Sequence, residues 1–202
     1  MIATGSLPIV TYPNHVLSRR SDEVMEIDDD IVSLIEAMKL SMQAAKGIGL
    51  AAPQVGRNLR IVTIGCVPGP ALGLINPVII EGHGRTSIVE GCLSFPGYQC
   101  RPRGRRKFVH VRAYDVRGEL VDLEADGLLS ICLQHEIDHL NGITIIDRLS
   151  GVERSAAERR YIDDTSMDHC MTVAAQQHAR CYFSLNTRPT PTSHAREVRV
   201  FD

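Results

Sequence analysis

Two histidines four residues apart, with a glutamate beside the first, occur in the segment QHEIDHLNG (134–142). Four residues of an α-helix turn through about 400° and rise about 6 Å, so His135 and His139 lie on one face, one turn apart. This geometry suits two imidazoles on one metal ion, with Glu136 at the edge of the site. The competing interpretation is a pair of core histidines. Because burying these three polar side chains without a partner is costly, we favour a metal centre.

The third ligand of such a centre must come from another side chain, and the main candidates are Cys132 and Cys92, with Cys66 and Cys100 as weaker alternatives. Cys132 lies one turn before His135, so the metal would sit about 7 Å further along the helix axis. Since a thiolate must approach zinc to about 2.3 Å, we expect Cys132 to be a small apolar wall residue. Cys92, in VEGCLSFPG, lies between a predicted strand end and a Pro-Gly turn. It is the stronger candidate, and a buried structural cysteine is the alternative.

The elements that must position these side chains are predicted from hydrophobic periodicity. A helix is expected from Asp28 to a stop at Gly47. Strands are expected at 59–66, 74–80 and 107–116, the last of these leading through a turn into a hairpin. The segment from about Gly127 to Leu140 is apolar on most sides, so its helix should be buried. This order predicts an α+β fold, with mixed or antiparallel strands packed around a buried central helix that carries the HExxH motif.

Length and composition indicate an ordinary globular protein. The chain has 202 residues, of which 44 % are hydrophobic and 23 % charged, and its net charge is −2. These values give no reason to expect a nucleic-acid or membrane partner. The N-terminus resembles no signal peptide, and no apolar run approaches the ~20 residues that span a bilayer. The six cysteines show no close-spaced framework, so we expect a cytoplasmic protein with reduced thiols.

The last fifty or so residues differ in character from the rest. GVERSAAERRYIDD fits an amphipathic helix, whereas TRPTPTSHAREVRV is turn-rich and polar. From Ser150 onward the chain carries seven Lys or Arg and seven Asp or Glu, so this part is neutral. We therefore expect a catalytic domain at 1–150, followed at 151–202 by a C-terminal helix and an extended tail of unknown role.

Three segments, in order along the chain, resemble the signature motifs of one enzyme family. They are GIGLAAPQ (47–54), EGCLS (90–94) and QHEIDH (134–139). Together they resemble the three motifs of peptide deformylases of the bacterial type, over about residues 8–150. The resemblance implies a metal-dependent hydrolase. Such an enzyme removes the formyl group from the N-terminal formyl-methionine of newly made polypeptides and releases formate.

The resemblance also implies roles for individual residues. Cys92, His135 and His139 would hold one divalent metal per chain, which is ferrous iron in the cell, with zinc, nickel or cobalt also accepted. Glu136 would take a proton from the attacking water and pass it to the leaving amine. The side-chain amide of Gln54 and the backbone N–H of Leu93 would donate to the substrate oxygen.

A substrate pocket is implied by the same resemblance. Its residues would be Ile48 and Gly49 along the groove, and Leu128, Ile131 and Cys132 as an apolar wall for the methionine side chain. Core packing is an equally good interpretation of Leu128. The basic run Arg101, Arg103, Arg105, Arg106 and Lys107 is expected to be a solvated hairpin base. Arg101 is the member of this run chosen as a candidate for substrate contact.

Other functions remain open at this point. Relatives commonly end in a Lys/Arg-rich helix that helps them dock on the ribosome. This neutral tail lacks that character, so we expect no ribosome contact of the usual kind, and a transient contact stays open. A zinc peptidase of the HExxH kind would leave GIGLAAPQ and EGCLS unexplained. A related protein could act on another N-acyl group or only bind modified N-termini. The binding-only protein would be expected to lose Glu136 or Gln54, and both are present.

Overall fold

The computed structural model of the chain describes residues 5–165. Its helices are α1 (Asp29–Ala44), α2 (Gly127–Leu140) and α3 (Gly151–Thr165). Its strands are β1 (Gly49–Ala51), β2 (Ile61–Ile64), β3 (Leu72–His83), β4 (Glu90–Gly91), β5 (Gln99–Cys100), β6 (Phe108–Tyr114) and β7 (Leu120–Asp126). Short 3₁₀ helices occupy His15–Ser18, Ala52–Val55 and Ile145–Arg148. The predicted extended tail lies outside the described residues.

Five of these strands form one antiparallel sheet in the order β1-β2-β3-β6-β7, and β4 pairs with β5 in a second, small sheet. The predicted hairpin is β6-β7, in register from Phe108↔Asp126 to Tyr114↔Leu120. The α+β class is therefore confirmed. β3 is longer than predicted, because two register shifts let it stay paired with β6 beyond Ile75. β1, within GIGLAAPQ, was not predicted as a strand, since three residues are too few to show alternation.

α1 begins and packs as its sequence predicts. The Asp28 carboxylate accepts a hydrogen bond of 2.9 Å from the N–H of Ile31, which caps the first turn. Asp29 and Asp30 follow in that turn, where the helix dipole favours negative charge. One face of the helix is buried against the sheet, through a cluster that includes Ile35, Met38, Met42, Leu50, Ile61 and Ile75.

α2 is buried over nearly its whole length, from Ser130 to Leu140. Its apolar residues Leu133, Ile137 and Leu140 share a core cluster with residues of β2, β6 and β7. Because the sheet and this cluster exclude water from most of the helix, the polar side chains of QHEIDH are held in the interior. No helix among residues 5–165 is long and apolar enough to cross a bilayer.

α3 packs on the loop that follows β4. Ala157 is buried in a cluster with Phe95, Ile145 and Ile146. The Tyr161 hydroxyl donates a hydrogen bond of 3.1 Å to the carbonyl of Pro96. The helix predicted at the start of the C-terminal segment is thus present and contacts the segment that carries Cys92. The division into domains at residue 150 stays a prediction.

Candidate metal centre

The side chains of Cys92, His135 and His139 meet in the interior. Their candidate ligand atoms all lie within 4.8 Å of one another, and all three residues are buried. Cys92 Sγ lies 3.2 Å from His139 Nε2. α2 supplies both histidines, and a turn closed by the Phe95 N–H on the Cys92 carbonyl, at 3.0 Å, supplies the cysteine. Cys132 is not part of this group, because its Sγ donates to the carbonyl of Ile48 at 3.4 Å.

The chemistry of this donor set fits a divalent metal ion. One thiolate and two imidazoles suit iron, cobalt, nickel or zinc, and three protein ligands leave a position open. His135 Nδ1 lies 3.0 Å from Glu90 Oε2, which leaves Nε2 of that ring for a metal. His139 Nδ1 has no hydrogen-bond partner in the part of the chain that the structure describes, while its Nε2 faces Cys92. Both rings therefore present the same nitrogen to the centre.

Burial shapes the protonation of the groups around the centre. It lowers the pKa of His139 well below its usual value, so this imidazole is neutral and able to act as a ligand. Burial also acts to lower the pKa of His135, but hydrogen bonds with Cys92 and Glu90 outweigh it and raise that pKa. Burial raises the pKa of Glu136 to about 7. A carboxyl that titrates near neutral pH suits both accepting and returning a proton.

The side-chain amide of Gln54 has its orientation fixed by the backbone. The N–H of Ala51 donates to Gln54 Oε1 at 2.8 Å, so the amide NH₂ must point the other way. Nε2 then lies 3.2 Å from Ser94 Oγ and 3.5 Å from Cys92 Sγ. Because a backbone N–H can only donate, this arrangement excludes the flipped amide. The Gln54 donor therefore faces the candidate metal centre.

A cavity of about 30 Å³ opens beside these groups, more than the ~10–15 Å³ that one water molecule needs. It is lined by Gly47, Ile48, Gly49, Gln54, Gly91, Cys92, Leu93, Cys132, His135 and Glu136. All but Gly47 and Gly91 are predicted site residues. The backbone N–H of Leu93 has no hydrogen-bond partner among residues 5–165, so it is available to a ligand in the cavity.

Three predicted site residues lie elsewhere. Leu128, at the start of α2, is 37 % exposed, and Ile131 is buried; neither lines the cavity. Arg101 is exposed, and its Nη1 donates to the carbonyl of Ser87 at 3.3 Å. The lining of this cavity therefore gives no support to their predicted contacts with substrate.

The expectation that the whole basic run is solvated is wrong for one member. Arg105 is buried, because it forms ion pairs with two carboxylates that are themselves buried, Glu90 and Asp138. Sequence reasoning missed this group. A signal was available: Glu90 lies two residues before Cys92, and Asp138 lies between the two histidines. A buried acidic residue that stays ionised is commonly paired with a cation.

Comparison with known proteins identifies the family. The family model described as polypeptide deformylase matches residues 6–155. The chain belongs to the polypeptide deformylase family. The peptide deformylase of Thermodesulfovibrio yellowstonii is 40 % identical over 159 residues, which cover 77 % of this chain and 96 % of the relative. That of Aquifex aeolicus is 43 % identical over 158 residues, covering 76 % and 93 %. The resemblance read from the three motifs is thus confirmed.

Solved structures of the family share the fold. A peptide deformylase from Legionella pneumophila matches with a TM-score of 0.74 at 36 % identity, covering 80 % of this chain and 96 % of that one. The Ehrlichia chaffeensis peptide deformylase in complex with actinonin matches with a TM-score of 0.75 at 36 % identity, covering 79 % and 98 %. This chain therefore spans nearly the whole length of both solved structures.

Proposed function

We propose that this deformylase-family chain is a hydrolase that removes the formyl group from the N-terminal formyl-methionine of newly made polypeptides and releases formate. Beyond membership of the family, one structural observation supports this proposal. The buried Cys92, His135 and His139 side chains converge beside a cavity that Glu136 also lines. A set of three ligands with an adjacent, unbound carboxylate is typical of metal-assisted hydrolysis.

We propose that Cys92, His135 and His139 hold one divalent metal, ferrous iron in the cell. Zinc, nickel or cobalt would fit the same donors, because a mixed thiolate and imidazole set suits several of these ions. When bound, the metal supplies Lewis acidity that makes water nucleophilic at neutral pH. The negative thiolate would offset part of the metal charge, and all three ligand side chains are buried.

Glu136 is proposed as the group that takes the proton of the attacking water and returns it to the leaving amine. Its Oε2 is buried and has no hydrogen-bond partner within the described part of the chain, so this oxygen is free for a proton transfer. Its pKa of about 7 supports both directions of that transfer. Because Glu136 follows a ligand directly on α2, the helix holds it at the edge of the centre.

Gln54 and Leu93 are proposed to stabilise the negative charge that develops on the formyl oxygen. The hydrogen bond that Gln54 Oε1 accepts from Ala51 directs Nε2 toward the centre. Leu93 lines the cavity, and its N–H has no hydrogen-bond partner among residues 5–165. Donors fixed in place before reaction cost no reorganisation in the transition state. Ile48, Gly49 and Cys132 would form the adjoining wall for the substrate.

Some predictions extend beyond these groups. Contacts of Leu128, Ile131 and Arg101 with substrate, a transient ribosome contact and a cytoplasmic location all remain predictions. So do the absence of membrane and direct DNA partners and the role of residues 151–202. Formylated nascent polypeptides are the proposed partners, in keeping with the family.

The function is tested by formate release from formyl-Met-Ala-Ser, with protein purified anaerobically. We expect release by the wild type and almost none by Glu136→Ala, although both hold one metal per chain. Acetyl-Met-Ala-Ser serves as the matched substrate control, since it adds a methyl group to the acyl carbon. Cleavage of the acetyl peptide alone, followed as the free α-amino group because this substrate releases acetate, would show that the chain acts on another N-acyl group. Full activity of Glu136→Ala would overturn the role given to this carboxylate.

A further inference from the structure

One buried guanidinium joins two segments of the candidate metal centre. Arg105, in the connection between β5 and β6, is only 3 % exposed. Its Nε and Nη2 donate to the two carboxylate oxygens of Glu90 at 2.7 and 2.9 Å. Its Nη1 donates to Asp138 Oδ2 at 2.6 Å. Arg105 thus bonds two carboxylates at once, one of them through a bidentate pair.

The two carboxylates lie beside the proposed ligands along the chain. Glu90 is in β4, two residues before Cys92, and Asp138 is in α2, between His135 and His139. One side of the guanidinium is therefore tied to the segment that presents the thiol, and the other to the helix that presents both imidazoles. No covalent constraint links these segments closely, since more than forty residues separate Cys92 from His135.

Glu90 also contacts a proposed ligand directly. Its Oε2 accepts from Arg105 and lies 3.0 Å from His135 Nδ1. The bidentate pair fixes the plane of the carboxylate, and the carboxylate in turn fixes the orientation of the imidazole. A rotation of Glu90 would release the His135 ring. Arg105 therefore contacts both segments and, through Glu90, is connected to the ring of one proposed ligand.

We propose that Arg105 is a positioning residue that assembles the metal centre before the metal binds. It holds the Cys92 segment and α2 at the separation that a shared metal requires, and it holds His135 through Glu90. The inference rests on the proposed function, because it concerns the same metal ligands. It adds a residue that touches neither metal nor substrate but sets how tightly the metal is held.

A conservative variant distinguishes positioning by the guanidinium from the mere presence of a positive charge. Arg105→Lys keeps the positive charge but lacks the planar fork, so it cannot bond Glu90 through two parallel hydrogen bonds and also reach Asp138. Complete removal of the guanidinium would leave the buried carboxylate of Glu90 with only the His135 ring, and that of Asp138 with only Arg148, which is strongly destabilising. Lysine is therefore the informative substitution. Arg106→Lys is the matched control, since Arg106 is the exposed neighbour of Arg105.

A second variant tests the other contact of Arg105, the one with Asp138 on α2. Asp138→Asn weakens the link to α2 while the bidentate pair between Arg105 and Glu90 remains. Asp138 also bonds Arg148, whose Nε lies 3.0 Å from Asp138 Oδ2, but that guanidinium is partly exposed. Arg148→Lys therefore serves as its control: it changes a contact of Asp138 and leaves Arg105 in place.

The experiment measures metal loss from folded protein. Each variant is loaded anaerobically with Co²⁺ and challenged with excess chelator, and the cobalt–thiolate absorption is followed at a temperature where circular dichroism shows native structure. We expect Arg105→Lys to lose cobalt about 10- to 100-fold faster than the wild type, the range typical for partners that orient metal ligands. Asp138→Asn should fall in between, and the two control variants should stay within about twofold.

Formate release per bound metal is recorded beside metal loss. A folded Arg105→Lys protein that loses cobalt at the wild-type rate would overturn the positioning role. If Arg105→Lys does not fold, Asp138→Asn decides by the same criterion. A wild-type protein that takes up no cobalt would instead overturn the metal centre itself. The two failures are therefore distinguishable.

Discussion

The carboxylate of Glu136 lies directly against the backbone of Gly49: a β-carbon built on Gly49 would come within 2.3 Å of Glu136 Oε1. The same β-carbon would lie 2.7 Å from Cys132 Sγ. Real β-carbons essentially never approach other atoms so closely, so any side chain at Gly49 must displace the carboxylate. The Glu136 carboxylate thus occupies space that is free only because Gly49 has no side chain.

Gly49→Ala is expected to lower formate release by at least about 10²-fold, because it moves the proposed proton-transfer group. Metal content should be unchanged, since none of the three atoms nearest to the added β-carbon belongs to a proposed ligand. The measurement is kcat at saturating formyl-Met-Ala-Ser, with metal determined on the same sample. Gly151→Ala is the control, because a β-carbon there meets nothing within 4 Å. Wild-type kcat in Gly49→Ala would contradict the position assigned to Glu136.

Cys92→Ala is expected to lose the metal, whereas Cys132→Ala is expected to keep it. Both thiols are buried, but only Cys92 Sγ lies with the two imidazoles. Two imidazoles alone hold a divalent ion much less tightly than a set that includes a thiolate. Metal per chain, measured after dialysis against a chelator, distinguishes the two variants. Full occupancy of Cys92→Ala would refute the ligand assignment.

Gln54→Glu is expected to lower kcat by about 10²- to 10³-fold with the metal retained. The new side chain can still accept the hydrogen bond from the Ala51 N–H, but it offers no donor to the formyl oxygen. KM should change less than kcat, since the lost interaction is strongest in the transition state. Gln43→Glu, on the exposed side of α1, makes the same chemical change as a control. Equal kcat values in the two variants would exclude Gln54 as an oxyanion donor.

Phe95→Ala is expected to reduce the free energy of unfolding by about 3–5 kcal/mol. The Phe95 ring is fully buried, stacks on Tyr12 with centroids 4.9 Å apart, and meets Tyr161 edge-on at 5.3 Å. The measurement is urea unfolding of the metal-free protein, so that metal loss does not enter. Val152→Ala, at an 83 % exposed position of α3, should change stability by less than about 0.5 kcal/mol. A small effect of Phe95→Ala would show that α3 and this loop are not packed as described.

Asp115 should make stability depend on pH in acid. Burial acts to raise its pKa, but hydrogen bonds from the backbone N–H groups of Glu119 and Arg117, and from the Arg117 side chain, outweigh it and lower the pKa. The folded state thus favours the carboxylate. The stabilisation is complete above the ordinary pKa of about 3.9 and is lost as pH falls through the lower folded-state value. Wild type should exceed Asp115→Asn in stability at pH 7 and approach it in strong acid; an unchanged difference would refute this.

Local sequence determined the elements that carry the chemistry. The apolar run of α2 and the spacing of His135 and His139 could be predicted because helix periodicity is a property of neighbouring residues. The β6-β7 hairpin followed from alternation and a turn for the same reason. For Cys92 the sequence left two interpretations, a metal ligand or a buried structural cysteine. Whether a third ligand approaches from another element depends on how the elements pack.

The tertiary structure alone decided which of several similar residues lie at the candidate site. Five basic residues lie at 101–107, and nothing local separates Arg105 from its neighbours; only the meeting of β4 with α2 surrounds it with Glu90 and Asp138. Leu128 and Cys132 share the sequence of one helix, yet only Cys132 reaches the cavity. Periodicity assigns a residue to a face of its own element. Whether that face meets an ion, a cavity or the core depends on contacts between residues far apart in the chain, and these exist only once the chain is folded.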